Sequence, residues 1–174
     1  MLDLPPLEVA RLLRAHQLTA KKGLGQNFLI DSTALERIVA AAEIPPEAEL
    51  LEIGPGLGSL TRYLARAARQ VVAVELDTAL IPVLHEVLAG QENVRVVQGD
   101  ILEQDPAALM SAGGYWVVAN IPYYITSAVF RHLLEARVRP CRMVLTVQRE
   151  VAERICARSE ENTSELQSPN TISY

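Results

Sequence analysis

The stretch Glu49-Leu50-Leu51-Glu52-Ile53-Gly54-Pro55-Gly56-Leu57-Gly58-Ser59 decides the fold of this chain. A short apolar strand pattern runs directly into glycines spaced G-x-G-x-G, and a helical pattern begins near Ser59. Glycines let the backbone turn tightly and come against a ligand, and the amides at a helix start favour an anionic group. The dinucleotide fingerprint G-x-G-x-x-G/A is not this spacing, since its third small position falls on Ser59. In isolation the same glycines also suit a plain strand-to-helix turn.

Outward from this stretch, Glu49 to Ile53, Gln70 to Leu76, Asn93 to Gln98, Tyr115 to Ala119 and Arg142 to Val147 read as buried strands separated by helical patterns. Such alternation predicts an α/β fold, a parallel sheet with helices on both faces. Leu35, Ile38, Val39 and Ala42 recur at helical spacing before the first strand, with Thr33 and Glu36 as a capping box. Asp105-Pro106 reads as an N-cap with a first-turn proline, and Gly90 as a helix stop. Thr126 or Ser127 is expected to cap a helix that turns Phe130, Leu133 and Leu134 inward.

With 174 residues, 49% of them hydrophobic and 21% charged, the chain has material for one core and one domain. It shows no signal-peptide pattern and no run of membrane-spanning length. Cys141 and Cys156 lack metal-ligand spacing and His16, His85 and His132 are scattered, so neither a metal site nor a disulfide framework is expected. The net charge of -5 argues against a simple polyanion-binding surface. Between Arg131 and Arg158, however, seven Arg face three Glu, which suits either a solvated helix face or an RNA contact. Ser159 to Tyr174 is polar and without apolar period, and reads as a disordered tail foreign to the domain of residues 1–158.

Chemistry gathers at the strand ends. Glu75, twenty-one positions after Gly54, is placed to accept hydrogen bonds from vicinal ribose hydroxyls, which leaves NAD and S-adenosyl-L-methionine both open. Asp100, after Gly99 at the end of the third strand, is placed to accept from an adenine exocyclic amine. Asn120-Ile121-Pro122-Tyr123 then closes the fourth strand. An adenine amine is a poor nucleophile because its lone pair is delocalised into the ring. Accepting its two N–H bonds with the Asn120 side-chain oxygen and the Pro122 carbonyl favours the pyramidal nitrogen that attacks a sulfonium methyl. Tyr123 is placed to stack on the base, an interaction worth about 1 to 3 kcal/mol, and proline fixes the local backbone. No Ser/His/Asp triad or paired-carboxylate hydrolase arrangement competes.

Taken together, these motifs closely resemble the small-subunit ribosomal RNA adenine dimethyltransferases (KsgA/RsmA-like). Lys21-Lys22-Gly23-Leu24-Gly25-Gln26-Asn27-Phe28-Leu29 is similar to the family's N-terminal motif, and Gln148-Arg149-Glu150-Val151-Ala152-Glu153-Arg154 to its motif after strand five. The resemblance implies a Rossmann-like class I methyltransferase fold. It implies S-adenosyl-L-methionine held by Asn27, Leu29, Gly54, Gly56, Glu75, Asp100 and Asn120, with Asn120, Pro122 and Tyr123 on the target adenine. It further implies dimethylation of two adjacent adenosines in the 3′-terminal hairpin of small-subunit ribosomal RNA, in immature subunits, by a cytoplasmic enzyme that is monomeric when complete. Lys21 and Lys22 are expected to contact phosphate. Beyond about Arg158 the family's remaining strands and helical C-terminal domain are not found, so the expectation is a sheet truncated after strand five. A large-subunit ribosomal RNA adenine methyltransferase of the macrolide-resistance type, a non-catalytic RNA-binding relative and a dehydrogenase are the alternatives.

Overall fold

In the computed structural model the described residues are 4–19 and 28–146. The expectations for Lys21, Lys22, Asn27, Val147, the QREVAER segment and the polar tail therefore lie outside them. Five strands form one parallel sheet: β1 (Glu49–Ile53), β2 (Gln70–Glu75), β3 (Val94–Gln98), β4 (Trp116–Ala119) and β5 (Arg142–Leu145), in the order β3-β2-β1-β4-β5. The predicted strands are all present, several of them slightly shorter at the ends where the chain turns away. The helices are α1 (Val9–Ala15), α2 (Ser32–Ala42), α3 (Ser59–Ala67), α4 (Ile81–Val87), α5 (Pro106–Leu109) and α6 (Tyr123–Glu135).

Strand side chains alternate between the two faces, and the core divides accordingly. Leu50, Val71 and Val118 pack with Leu35 and Ala42 of α2 and Leu60, Tyr63 and Leu64 of α3. On the opposite face Leu51, Ile53, Val72, Val74, Val117 and Ala119 meet Val129 and Leu133 of α6 together with Leu109 of α5. Burial on both faces explains why β1 and β2 read as continuous apolar runs. Trp116 Nε1 donates to the Ala42 carbonyl at 3.1 Å, and Arg142 reaches that carbonyl at 3.2 Å and Glu43 beside it. Arg142 thus fastens α2 to β5, so this member of the basic cluster is engaged within the fold.

Three sequence expectations are corrected. Helix α2 is capped by Asp31, whose side chain accepts from the Thr33 and Ala34 amides, in place of a Thr33–Glu36 box. A carboxylate one position before the helix reaches both free amides directly. Helix α6 begins at Tyr123 after Pro122, well before Thr126, whose hydroxyl instead donates back to the Pro122 carbonyl. Its buried face is Thr126, Val129 and Leu133, about one turn apart in succession, while Leu134 is 49% exposed because the next residue is rotated off that stripe. Asp105 caps α5 as predicted, accepting from Ala107 N at 2.9 Å.

Candidate active site

The chain leaves β1 toward β2 and β3 on one side, and later returns to place β4 and β5 on the other. Between β1 and β4 the order reverses, and in open parallel sheets ligands bind at the carboxyl ends of strands beside such a switch point. A cavity of about 320 Å³ lies there, a volume within the usual range for small-molecule pockets. Gly54, Gly56, Glu75, Asp100, Asn120, Pro122 and Leu29, all sequence candidates, line it. Asn27 lies outside the described residues, and so does the Tyr123 side chain, although the Tyr123 backbone opens α6.

The glycine loop and the loop after β4 touch. Gly54 has φ +68°, and a Cβ there would stand 3.4 Å from Ile121 Cγ2. Gly56 has φ +60°, and its Cβ would meet the Phe28 ring at 3.3 Å. Both positions therefore favour a residue without a side chain for their left-handed conformation, and Gly56 also for space.

Glu75 ends β2 and is 6% exposed. One carboxylate oxygen accepts from Gly56 N at 3.0 Å and the other from Asp77 N at 2.8 Å. One loop amide is therefore committed to Glu75 and is not left for an anion. Burial holds the carboxyl above its ordinary range, against the lowering effect of these amides. A carboxylate offers about four lone-pair sites, so two remain for a pair of hydroxyls. Asp100 accepts from Leu102 N at 2.9 Å, which fixes it at the rim. Across the cavity, the Asn120 side-chain oxygen accepts from the Thr146 hydroxyl at 2.5 Å. Among the described residues the Pro122 carbonyl receives only long bonds, from Ile125 N at 3.3 Å and the Thr126 hydroxyl at 3.4 Å.

Three lining or supporting residues are absent from the sequence-based set. Glu52, inside β1 and 1% exposed, has an Oε2 without a hydrogen-bond partner among the described residues, as has the nearby Thr61 hydroxyl. Burial pushes its carboxyl up to about 8; the Thr61 hydroxyl opposes the rise without meeting hydrogen-bond geometry, and the Glu75 charge adds to it. An acid within an apolar strand run was the available signal. Thr146 carried no signal, because only the pairing of β5 with β4 brings it to Asn120. Tyr124, 59% exposed at the mouth, was hidden behind the preceding tyrosine. Among the described residues no group of His, Cys, Asp and Glu is arranged to hold a metal ion, and no helix is long and apolar enough to cross a membrane.

The chain is similar to known proteins in sequence and in fold. The family model described as Ribosomal RNA adenine dimethylase matches residues 17–167. The Ribosomal RNA small subunit methyltransferase A of Dehalococcoides mccartyi (strain CBDB1) is 46% identical over 153 residues, covering 87% of this chain and 53% of that protein. The chain thus spans about half the length of the curated relatives it matches. Among solved structures, the 23S rRNA methyltransferase ErmE superposes with a TM-score of 0.64 at 41% identity, covering 73% of this chain and 50% of that one. A dimethyladenosine transferase from Plasmodium falciparum superposes at 0.65 with 30% identity, covering 75% and 46%. The fold is accordingly the Rossmann-like one of class I methyltransferases, and the chain belongs to the ribosomal RNA adenine dimethylase family.

Proposed function

We propose that this protein binds S-adenosyl-L-methionine and serves the dimethylation of two adjacent adenosines in the 3′-terminal hairpin of small-subunit ribosomal RNA, in immature subunits. The observation that carries this reading is the placement of Asn120 and Pro122 on the wall of the cavity formed also by Glu75 and the glycine loop. A nucleoside-binding carboxylate and an amine-accepting carboxamide then share one space.

The residues present fit such a cofactor. Gly56 leaves room where a side chain would press on Phe28, Glu75 keeps acceptor capacity for ribose hydroxyls, and Glu52 Oε2, without a partner among the described residues, offers a buried acceptor to a cationic or N–H group. Leu29 supplies apolar lining and Asp100 an acceptor for an adenine amine. When bound, the cofactor supplies an electrophilic methyl group on a sulfonium centre. The protein's part is to receive the target base, accept its amine N–H bonds at Asn120 Oδ1 and the Pro122 carbonyl, and stack it on Tyr123. Acceptors that tighten as the nitrogen pyramidalises act on the transition state more than on binding.

Small-subunit specificity rests on the relatives named for that subunit. The likeness to a 23S rRNA methyltransferase favours a large-subunit substrate as the second reading. Incubating the protein with methyl-labelled cofactor and small subunits lacking the modification is expected to label the 3′-terminal hairpin of their RNA. Label confined to large-subunit RNA would replace the first reading with the second.

A further inference from the structure

We infer that Thr146 is a positioning residue for the amine-accepting carboxamide of Asn120. This inference rests on the reading of Asn120 given above, and it adds a residue that neither the glycine loop nor the Asn120-Ile121-Pro122-Tyr123 segment contains.

The placement follows from strand pairing. Ala119 of β4 lies opposite Leu145 of β5, so the next residues along, Asn120 and Thr146, leave the sheet side by side. Thr146 N donates to the Ala119 carbonyl at 3.0 Å, which extends the parallel ladder by one bond past the last paired residues. The Thr146 hydroxyl lies 2.5 Å from Asn120 Oδ1 and 3.4 Å from the Ala119 carbonyl. A hydroxyl has one proton, and the shorter contact takes it.

The chemical need is specific. A carboxamide has an acceptor end and a donor end of nearly the same shape, and rotation about its last torsion exchanges them. An adenine amine requires the acceptor end. Asn120 borders the cavity, and its oxygen has two lone pairs. Donation from Thr146 occupies one and anchors the oxygen, and the other remains for an amine N–H. Both residues are partly buried, so the bond competes with water only weakly.

Thr146→Val keeps the β-branched shape and removes the hydroxyl; Thr146→Ser keeps the hydroxyl and removes the methyl. In the chain as it stands, the Asn120 side-chain amide resonances, identified by their loss in Asn120→Asp, are expected to shift and broaden in Thr146→Val and to stay near their wild-type positions in Thr146→Ser. Methyl transfer to adenosine in RNA is expected to fall roughly tenfold in the valine variant, with serine within about twofold of wild type and S-adenosylhomocysteine affinity nearly unchanged in both. Unmoved Asn120 resonances in Thr146→Val overturn the inference whether or not turnover is seen. A serine variant as impaired as the valine one, or parallel loss of cofactor affinity, overturns it too, by showing a packing role. Absence of methyl transfer to adenosine by the wild-type protein, with the resonances responding as expected, counts instead against the proposed function.

Discussion

The two walls of the cavity are held by different means. On the β1–β2 side, Glu75 is fixed by two backbone amides, and Gly54 N extends the sheet by donating to the Val74 carbonyl at 3.0 Å. Both strands are buried almost throughout. On the β4–β5 side, Asn120 is fixed by one side-chain hydroxyl, and β5 beside it is only half-buried. Backbone amides survive nearly any point substitution, whereas a single hydroxyl does not. The Glu75 wall is therefore built to be constant, and the Asn120 wall to depend on a particular neighbouring side chain.

The sharpest way to break this contrast is Asn120→Ala. It is expected to slow methyl transfer roughly 100- to 1,000-fold, the usual scale for losing a preorganised polar contact to the reacting group, with a smaller effect on cofactor affinity. Single-turnover kinetics beside calorimetry checks this, and an unchanged chemical step would remove Asn120 from its assigned role.

Acidity probes the other wall. Glu52 and Glu75 are both held above their ordinary carboxyl value, so the native state retains protons that the unfolded chain releases. Their contribution is therefore most favourable at low pH, and stability falls as pH rises from about 4.5 toward about 8, where the Glu52 carboxyl ionises in the native state. Holding a proton tenfold more tightly in the native state is worth about 1.4 kcal/mol, which makes the Glu52 effect on the order of several kcal/mol. Denaturant unfolding at pH 5 and pH 9 is expected to show lower stability at the higher pH, with most of the difference absent in Glu52→Gln. A flat profile in the unaltered protein would show that Glu52 ionises normally inside the strand.

Two smaller effects sharpen the comparison. Glu75→Ala is expected to weaken S-adenosylhomocysteine binding roughly 10- to 100-fold, since it removes a charged acceptor together with its bonds to the Gly56 and Asp77 amides. Calorimetry showing unaltered affinity would detach Glu75 from the nucleoside. Gly56→Ala forces a side chain into a left-handed conformation and against Phe28, with an expected stability loss of about 1 to 2 kcal/mol. A thermal melt matching wild type would mean that this turn can relax.

The sequence by itself determined the order of elements and which strand-end residues, Gly54, Gly56, Glu75 and Asp100 among them, line the cavity. Apolar runs of strand length, a glycine turn and acids at strand ends are local patterns, because burial on both sheet faces and backbone conformation act within a few residues. For the same reason the Asp105 cap was legible. The helix caps at Asp31 and Pro122 were misplaced because several neighbouring residues can serve as a cap, and only the path of the entering chain selects among them. The tertiary structure alone decided what meets across the switch point. It turned Glu75 onto the Gly56 amide, stranded the Glu52 carboxyl in the core, and set Thr146 against Asn120 through the β4–β5 register. Such contacts join residues distant in the chain through sheet order and register, and a one-dimensional pattern carries no distance between strands.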